Sequence, residues 1–261
     1  MTLQSGMRRA TAFALTSLLA IASLNSFAVA AAPASDKKDK PKAESQPVVD
    51  SGSFGIFIKD QRVATEKFRI EQQNGNSVIK SELKETVGAD PASQKSELQI
   101  SPTGELQRYE WSQSSGGSLS VFPDNDFLKE RITASATAKP AEQAFLLPSV
   151  TPILDNNFFV HREILAWRYL SSACKTDGGN LKCPQDAADF GALIPQDRLS
   201  MPVRMVLVGK EKVSIHGAER ELLHLKLTGE SFEWSLWLDD HDHYKLIRVS
   251  IPADNTEVVR D

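Results

Sequence analysis

The stretch WLDDHDHYKLIRVSIP holds the densest set of side chains able to do chemistry. Asp239, Asp240, His241, Asp242 and His243 place five oxygen and nitrogen donors in consecutive positions. Carboxylates and imidazoles together are the donor set of a zinc or other transition-metal site. The flanking residues argue for a turn instead. SFEWSLWLD and YKLIRVSIP read as two strands. A pairing with Phe232 opposite Ile251, Trp234 opposite Val249, Leu236 opposite Ile247 and Leu238 opposite Lys245 keeps one face apolar, and Trp237 then meets Leu246 on the other. That register leaves 240–243 as a four-residue exposed loop, which suits aspartate, and no outer partner is visible to orient ligands at such a tip. His241, His243, Asp240 and Asp242 are therefore weak metal candidates, and no metal or other cofactor is expected.

The remaining histidines carry less. His161, in FFVHREIL, reads as a helix-surface pair with Glu163, without zinc-protease spacing. His216 precedes Gly217 and reads as a turn residue, and His224 alternates with Leu223 and Leu225 on a strand. No Gly-x-Ser-x-Gly elbow occurs. The loop SQSSGGS (112–118) lacks the following helix start that would bind phosphate, and no EF-hand calcium loop is present. No catalytic residue is expected, and the chain reads as non-enzymatic. The alternative is an envelope hydrolase using His161 and nearby acids.

Cys174 and Cys183 bracket CKTDGGNLKC. The Asp-Gly-Gly-Asn centre is turn chemistry that brings the thiols together, and the spacing suits neither a redox nor a zinc motif. A disulfide is expected, which implies an oxidising compartment.

The elements that must hold these residues are mostly strands. Period-two alternation with turn punctuation runs through SFGIFI (53–58), VATEKFRIEQ (63–72) and NSVIKSELKETV (76–87), with Asn74-Gly75 as a hairpin signal. It resumes after the cysteine loop in segments such as MPVRMVLVG (201–209) and KVSIHG (212–217), read as separate strands. Between the two blocks the pattern turns helical near 156–171, with Asp155 or Asn156 as cap and Phe158, Leu165 and Tyr169 on an apolar face beside Phe159 and Ile164. The expected fold is α+β: a large curved, mostly antiparallel meander sheet of about eleven strands around one central helix. One helix is too short to cover such a sheet. The sheet must curl on itself, bury its face in a partner, or keep a hollow.

The N-terminus reads as a signal peptide, 1–30. Arg8 and Arg9 precede an apolar run, and Ala28 and Ala30 fit a small-x-small cut after Ala30, with Ala32 the alternative. Residues 31–51 read as a flexible charged linker, and 52–261 as a single domain. Removing two arginines shifts the formal charge from −4 to −6, from 28 basic and 34 acidic residues. Nothing in that balance favours a nucleic-acid partner. The expected location is periplasmic or secreted.

Three segments carry a resemblance. GSFGIFIKDQRVATEKFRIEQ, ILDNNFFVHREILAWRY and SLWLDDHDHYKLIRVSIPADNTEVVRD resemble the opening hairpin, the helix and the closing strands of secreted bacterial β-sheet proteins of unknown function. Ala64 stands where their usual glycine precedes Thr65-Glu66. The likeness implies an export signal and a sheet domain over 52–261, and brings no catalytic residue with it. By architecture alone the chain is also similar to periplasmic lipoprotein-carrier half-barrels. The expected role is a binding or carrier module for an apolar or amphipathic ligand, with an envelope lipid or another envelope protein as partner. Phe54, Phe57, Phe68, Trp234 and Leu236 either line its cavity or simply fill a core. An assembly protein docking through a sheet edge is the further alternative.

Overall fold

The computed structural model describes residues 47–86, 92–178 and 180–261. The expected signal peptide and most of the expected linker lie outside these residues. Seven strands come first, β1 (Val48–Ile58), β2 (Gln61–Gln73), β3 (Asn76–Glu85), β4 (Ser93–Ile100), β5 (Leu106–Gln113), β6 (Ser118–Asp124) and β7 (Phe127–Thr133). Then come β8 (Ala141–Phe145), the helix α1 (Val160–Ala173) and a small hairpin, β9 (Lys175–Asp177) and β10 (Asn180–Lys182). The chain closes with β11 (Ala188–Ile194), β12 (Leu199–Ile215), β13 (Ala218–Thr228), β14 (Glu233–Asp239), β15 (Lys245–Ile251) and β16 (Thr256–Arg260).

Fourteen of these strands form one antiparallel sheet in the order β11-β12-β13-β14-β15-β16-β1-β2-β3-β4-β5-β6-β7-β8. The meander is broken only at the middle, where the C-terminal strand pairs with the N-terminal one, Phe54 opposite Arg260. The expectation of about eleven strands is too low. Short β8 and β11 carry weak alternation, and both are edge strands. In the other direction, 201–209 and 212–217 are one strand, β12. Its apparent break is a bulge between Leu207 and Gly209, where Gly209 takes a φ of 147° that lets the strand bend and continue.

Alternation sets the two faces. Ile70, Ile79, Leu98, Tyr109 and Val121 lie in one cross-strand row over β2 to β6, all buried on the inner face. The outer face of the same strands carries Lys67, Arg69, Lys80, Glu82, Lys95 and Glu97. They border a groove of about 750 Å³ and pair among themselves, Lys80–Glu97 and Lys95–Glu82 both at 3.9 Å. That is a solvated sheet face.

The linker expected over 31–51 ends earlier, because β1 begins at Val48. Asp50 is buried and accepts two hydrogen bonds from Arg260 Nη2, at 2.7 and 2.9 Å. A segment that reads as polar spacer is drawn into the sheet by a partner 210 residues away.

The disulfide Cys174–Cys183 is formed and closes the β9–β10 hairpin directly after α1. It is compatible with an extracellular or periplasmic protein. Among the described residues no helix is long and apolar enough to cross a membrane.

Candidate functional site

Helix α1 sits on the inner face, and the sheet ties it down along its length. It starts at Val160, four residues later than the pattern predicts, and neither Asp155 nor Asn156 caps it. The N-cap is Phe159, whose side chain offers no hydrogen bond. Glu66 of β2 supplies the cap across the core: its carboxylate accepts from the Phe159 amide at 2.6 Å, the Val160 amide at 3.3 Å and the Ser81 hydroxyl at 2.7 Å. Burial pushes the Glu66 carboxyl up to about 7, against those three hydrogen bonds and Arg162, which lower it. Farther along, the Trp167 indole donates to the Tyr244 carbonyl at 2.8 Å. The Tyr169 hydroxyl accepts from the Leu207 amide at 3.0 Å, beside the β12 bulge.

Charged groups crowd the core around the helix start. Asp155 accepts from the Tyr109 hydroxyl, the Gln196 amide and the Asn157 backbone. The Arg162 guanidinium donates to the carbonyls of Asp155 and Phe158 and lies over the rings of Phe159 and Trp234, at 4.9 and 4.8 Å. On the other flank Glu163 is fully buried, with Arg260 Nη1 3.7 Å away. Burial, and after it the neighbouring Asp50 carboxylate, holds Glu163 well above the usual range, so its neutral form is favoured.

His161 and Glu163 are therefore no surface pair. Residues 161–163 are all buried because α1 packs against strands from both halves of the sheet. His161 packs edge-on against Tyr109 at 5.7 Å and tilted against Phe158 at 6.0 Å. Neither ring nitrogen has a hydrogen-bond partner. Burial, with Arg162 adding to it, lowers the imidazole to about 3, so it is neutral. The acids near it are engaged elsewhere: Glu66 with the helix start, Asp155 with Tyr109, and Glu163 beside Arg260 and Asp50.

One flank of α1 borders a hollow of about 600 Å³. Ile70, Leu98, Ile100 and Leu106 form the sheet wall, and His161, Ile164, Leu165, Arg168 and Ser172 follow one another along the helix wall. The tips of the β2–β3 and β4–β5 hairpins, at Gly75 and at Pro102-Thr103-Gly104, rim the mouth. Depth follows the helix: His161 is buried, Arg168 is partly buried, and Ser171 and Ser172 are exposed. The volume falls within the usual range of small-molecule sites, roughly 300–1,000 Å³.

The residues expected to line a cavity lie elsewhere. Phe54, Phe68 and Leu236 fill the core, the first two with rings stacked at 4.9 Å. Phe57 is on the outer face under Arg62, one residue out of phase with the inward Phe54 and Ile56; the register shift at this point lies in β2, where Val63 is the extra residue. Trp234 borders a separate hollow of about 550 Å³ at the other end of α1.

The loop after Trp237 and Leu238 is a turn, in a different register from the one expected. Leu236 faces Val249, Trp237 faces Arg248 and Leu238 faces Leu246, so Ile247 is the extra residue of a bulge. Leu246 then joins the inner core, while Ile247 packs with Trp237 in a small outer cluster with Val213, Ile215 and Leu222. The loop is five residues, 240–244, with His243 and Tyr244 at positive φ. His241, Asp242 and His243 are exposed. Asp240 pairs with Lys210 at 2.6 Å and Asp242 with Lys245 at 2.9 Å. Among the described residues no cluster of His, Cys, Asp and Glu is arranged to hold a metal ion. His216 lies in the β12–β13 turn, and His224 stacks on Trp237 at 4.9 Å.

No protein-family model, no curated protein and no solved structure matches this chain.

Sequence reasoning allowed for a hollow but named other residues for its lining. Its lining comes from two hairpin tips, the start of β5 and one helix flank, and no local pattern marks these as neighbours. The one available signal was the polar series His161, Arg168 and Ser172 at helical spacing among apolar residues.

Proposed function

We propose that this protein is an exported, non-enzymatic binding or carrier module of the cell envelope, and that its ligand is apolar or amphipathic. The observation that carries this reading is the 600 Å³ hollow beside α1, with its apolar wall of Ile70, Leu98, Ile100 and Leu106. The signal-like N-terminus and the Cys174–Cys183 bridge support the location.

Titration with a fluorescent fatty-acyl probe tests the reading. Saturable binding at one site per chain is expected. Ile164→Trp, which adds bulk at a partly buried position on the hollow wall, should abolish binding while the thermal midpoint is retained. A natively folded protein that does not bind the probe, or binding that survives Ile164→Trp, would sink it.

A further inference from the structure

We propose that the hollow takes its ligand head outward, and that the buried part of that ligand carries a neutral hydrogen-bonding group, such as a hydroxyl or a carbonyl, which pairs with His161. This deepens the preceding reading and rests on it. The first support is the order of side chains along α1. Ser171 and Ser172 are exposed at the mouth, Arg168 lies one turn farther in along the helix with its guanidinium donating to the Val150 carbonyl and over the Phe190 ring, and His161 lies two turns below Arg168. Seven residues of helix span about 10 Å. Between those polar positions the wall is Ile164 and Leu165, faced by Ile70, Leu98 and Leu106 across the hollow. An amphipathic molecule fits this gradient in one direction, with its polar or anionic head at Arg168 and its chain running inward.

The second support is His161 itself. The residue is 1% exposed, forms part of the hollow's wall, and has two ring nitrogens without a hydrogen-bond partner. Buried polar atoms are nearly always paired, and an unpaired one is destabilising. A purely apolar ligand pocket would be better served by leucine or phenylalanine at this position. Asp155 is paired with Tyr109 and Gln196, and Glu66 with the helix start; Arg162 Nε and the Glu163 oxygens also lack partners, but neither Arg162 nor Glu163 lines the hollow. Neutral imidazole presents one donor and one acceptor, so it matches a hydroxyl or a carbonyl. Because it carries no charge, a carboxylate at that depth would lose its hydration without gaining a counter-ion. The charged end of the ligand belongs at Arg168.

Competitive displacement of the fatty-acyl probe by stearate, and by a series of hydroxystearates with the hydroxyl moved along the chain, tests this. Wild-type protein should prefer one hydroxyl position over stearate by on the order of tenfold, the effect of one well-made hydrogen bond. His161→Phe should lose the preference for one hydroxyl position, whatever its affinity for stearate, and His161→Gln should keep part of it. In nitrogen NMR the His161 ring signals should move on adding the preferred hydroxystearate and stay in place on adding stearate. Equal affinity across the series, or a preference that survives His161→Phe, overturns this inference and leaves the binding role standing. If neither stearate nor any analogue displaces the probe, both fail. Should His161→Phe not fold, the wild-type series and the NMR response decide by themselves.

Discussion

Replacing Glu66 with glutamine isolates the contact that caps α1 from the far side of the core. Glu66 is fully buried, and its carboxyl is raised from an ordinary 4.5 to about 7. A carboxyl raised on folding stabilises the fold fully below its unfolded value and loses that contribution as pH climbs through the folded one. The window here is therefore about 4.5 to about 7. At ~1.4 kcal/mol per pH unit, ionised Glu66 leaves the fold about 3 kcal/mol less stable than protonated Glu66 does. Glutamine cannot ionise, yet its oxygen can still accept from the Phe159 amide, and its NH2 can donate to Ser81, whose hydroxyl reverses role. The weaker Val160 contact is lost, which costs about 1 kcal/mol. Glu66→Gln should accordingly be about 1 kcal/mol less stable than wild type near pH 4 and about 2 kcal/mol more stable near pH 8. Urea unfolding followed by circular dichroism across that range measures the difference. Subtracting the two profiles cancels other titrations, including His161, whose depressed value acts with opposite sign and removes stability as pH falls below 6.5 toward about 3. Parallel stability profiles for the two proteins would refute the reasoning, since Glu66 would then not be the buried titrating cap.

Tyr169→Phe should cost about 1 kcal/mol, because the Leu207 amide at the β12 bulge loses its acceptor; an unchanged unfolding midpoint would count against that role. Arg260→Met strips the buried Asp50 and Glu163 of their guanidinium and should cost roughly 3–5 kcal/mol in chemical denaturation. Cys174→Ser should lower stability by about 2–3 kcal/mol, and a thiol assay on denatured wild-type protein should find no free cysteine. Joint replacement of His241 and His243 by asparagine should change stability by less than about 0.5 kcal/mol. A stoichiometric metal that survives dialysis of the wild type and vanishes in that variant would overturn the turn reading.

Period-two alternation, the Asn74-Gly75 turn and the CKTDGGNLKC loop determined a great deal without any coordinates: an antiparallel meander, a single central helix and the disulfide. These are local matters, settled by side-chain periodicity and turn chemistry within a dozen residues. The bulges were not legible. One extra residue at Ile247 sent Leu246 inward and Ile247 outward, because a one-residue slip reverses a strand's faces. Nor could spacing show that Glu66 caps a helix that begins 94 residues later, or that Asp50 is drawn from an apparent linker by Arg260. Those partners meet only when β1 pairs with β16 and the sheet packs against α1. The same packing buries His161, which reads as a surface residue in FFVHREIL. Burial makes it a neutral, unpaired group on the wall of an apolar hollow. Whether a side chain is solvated depends on what the rest of the chain lays over it, so tertiary structure alone decided where a candidate site lies.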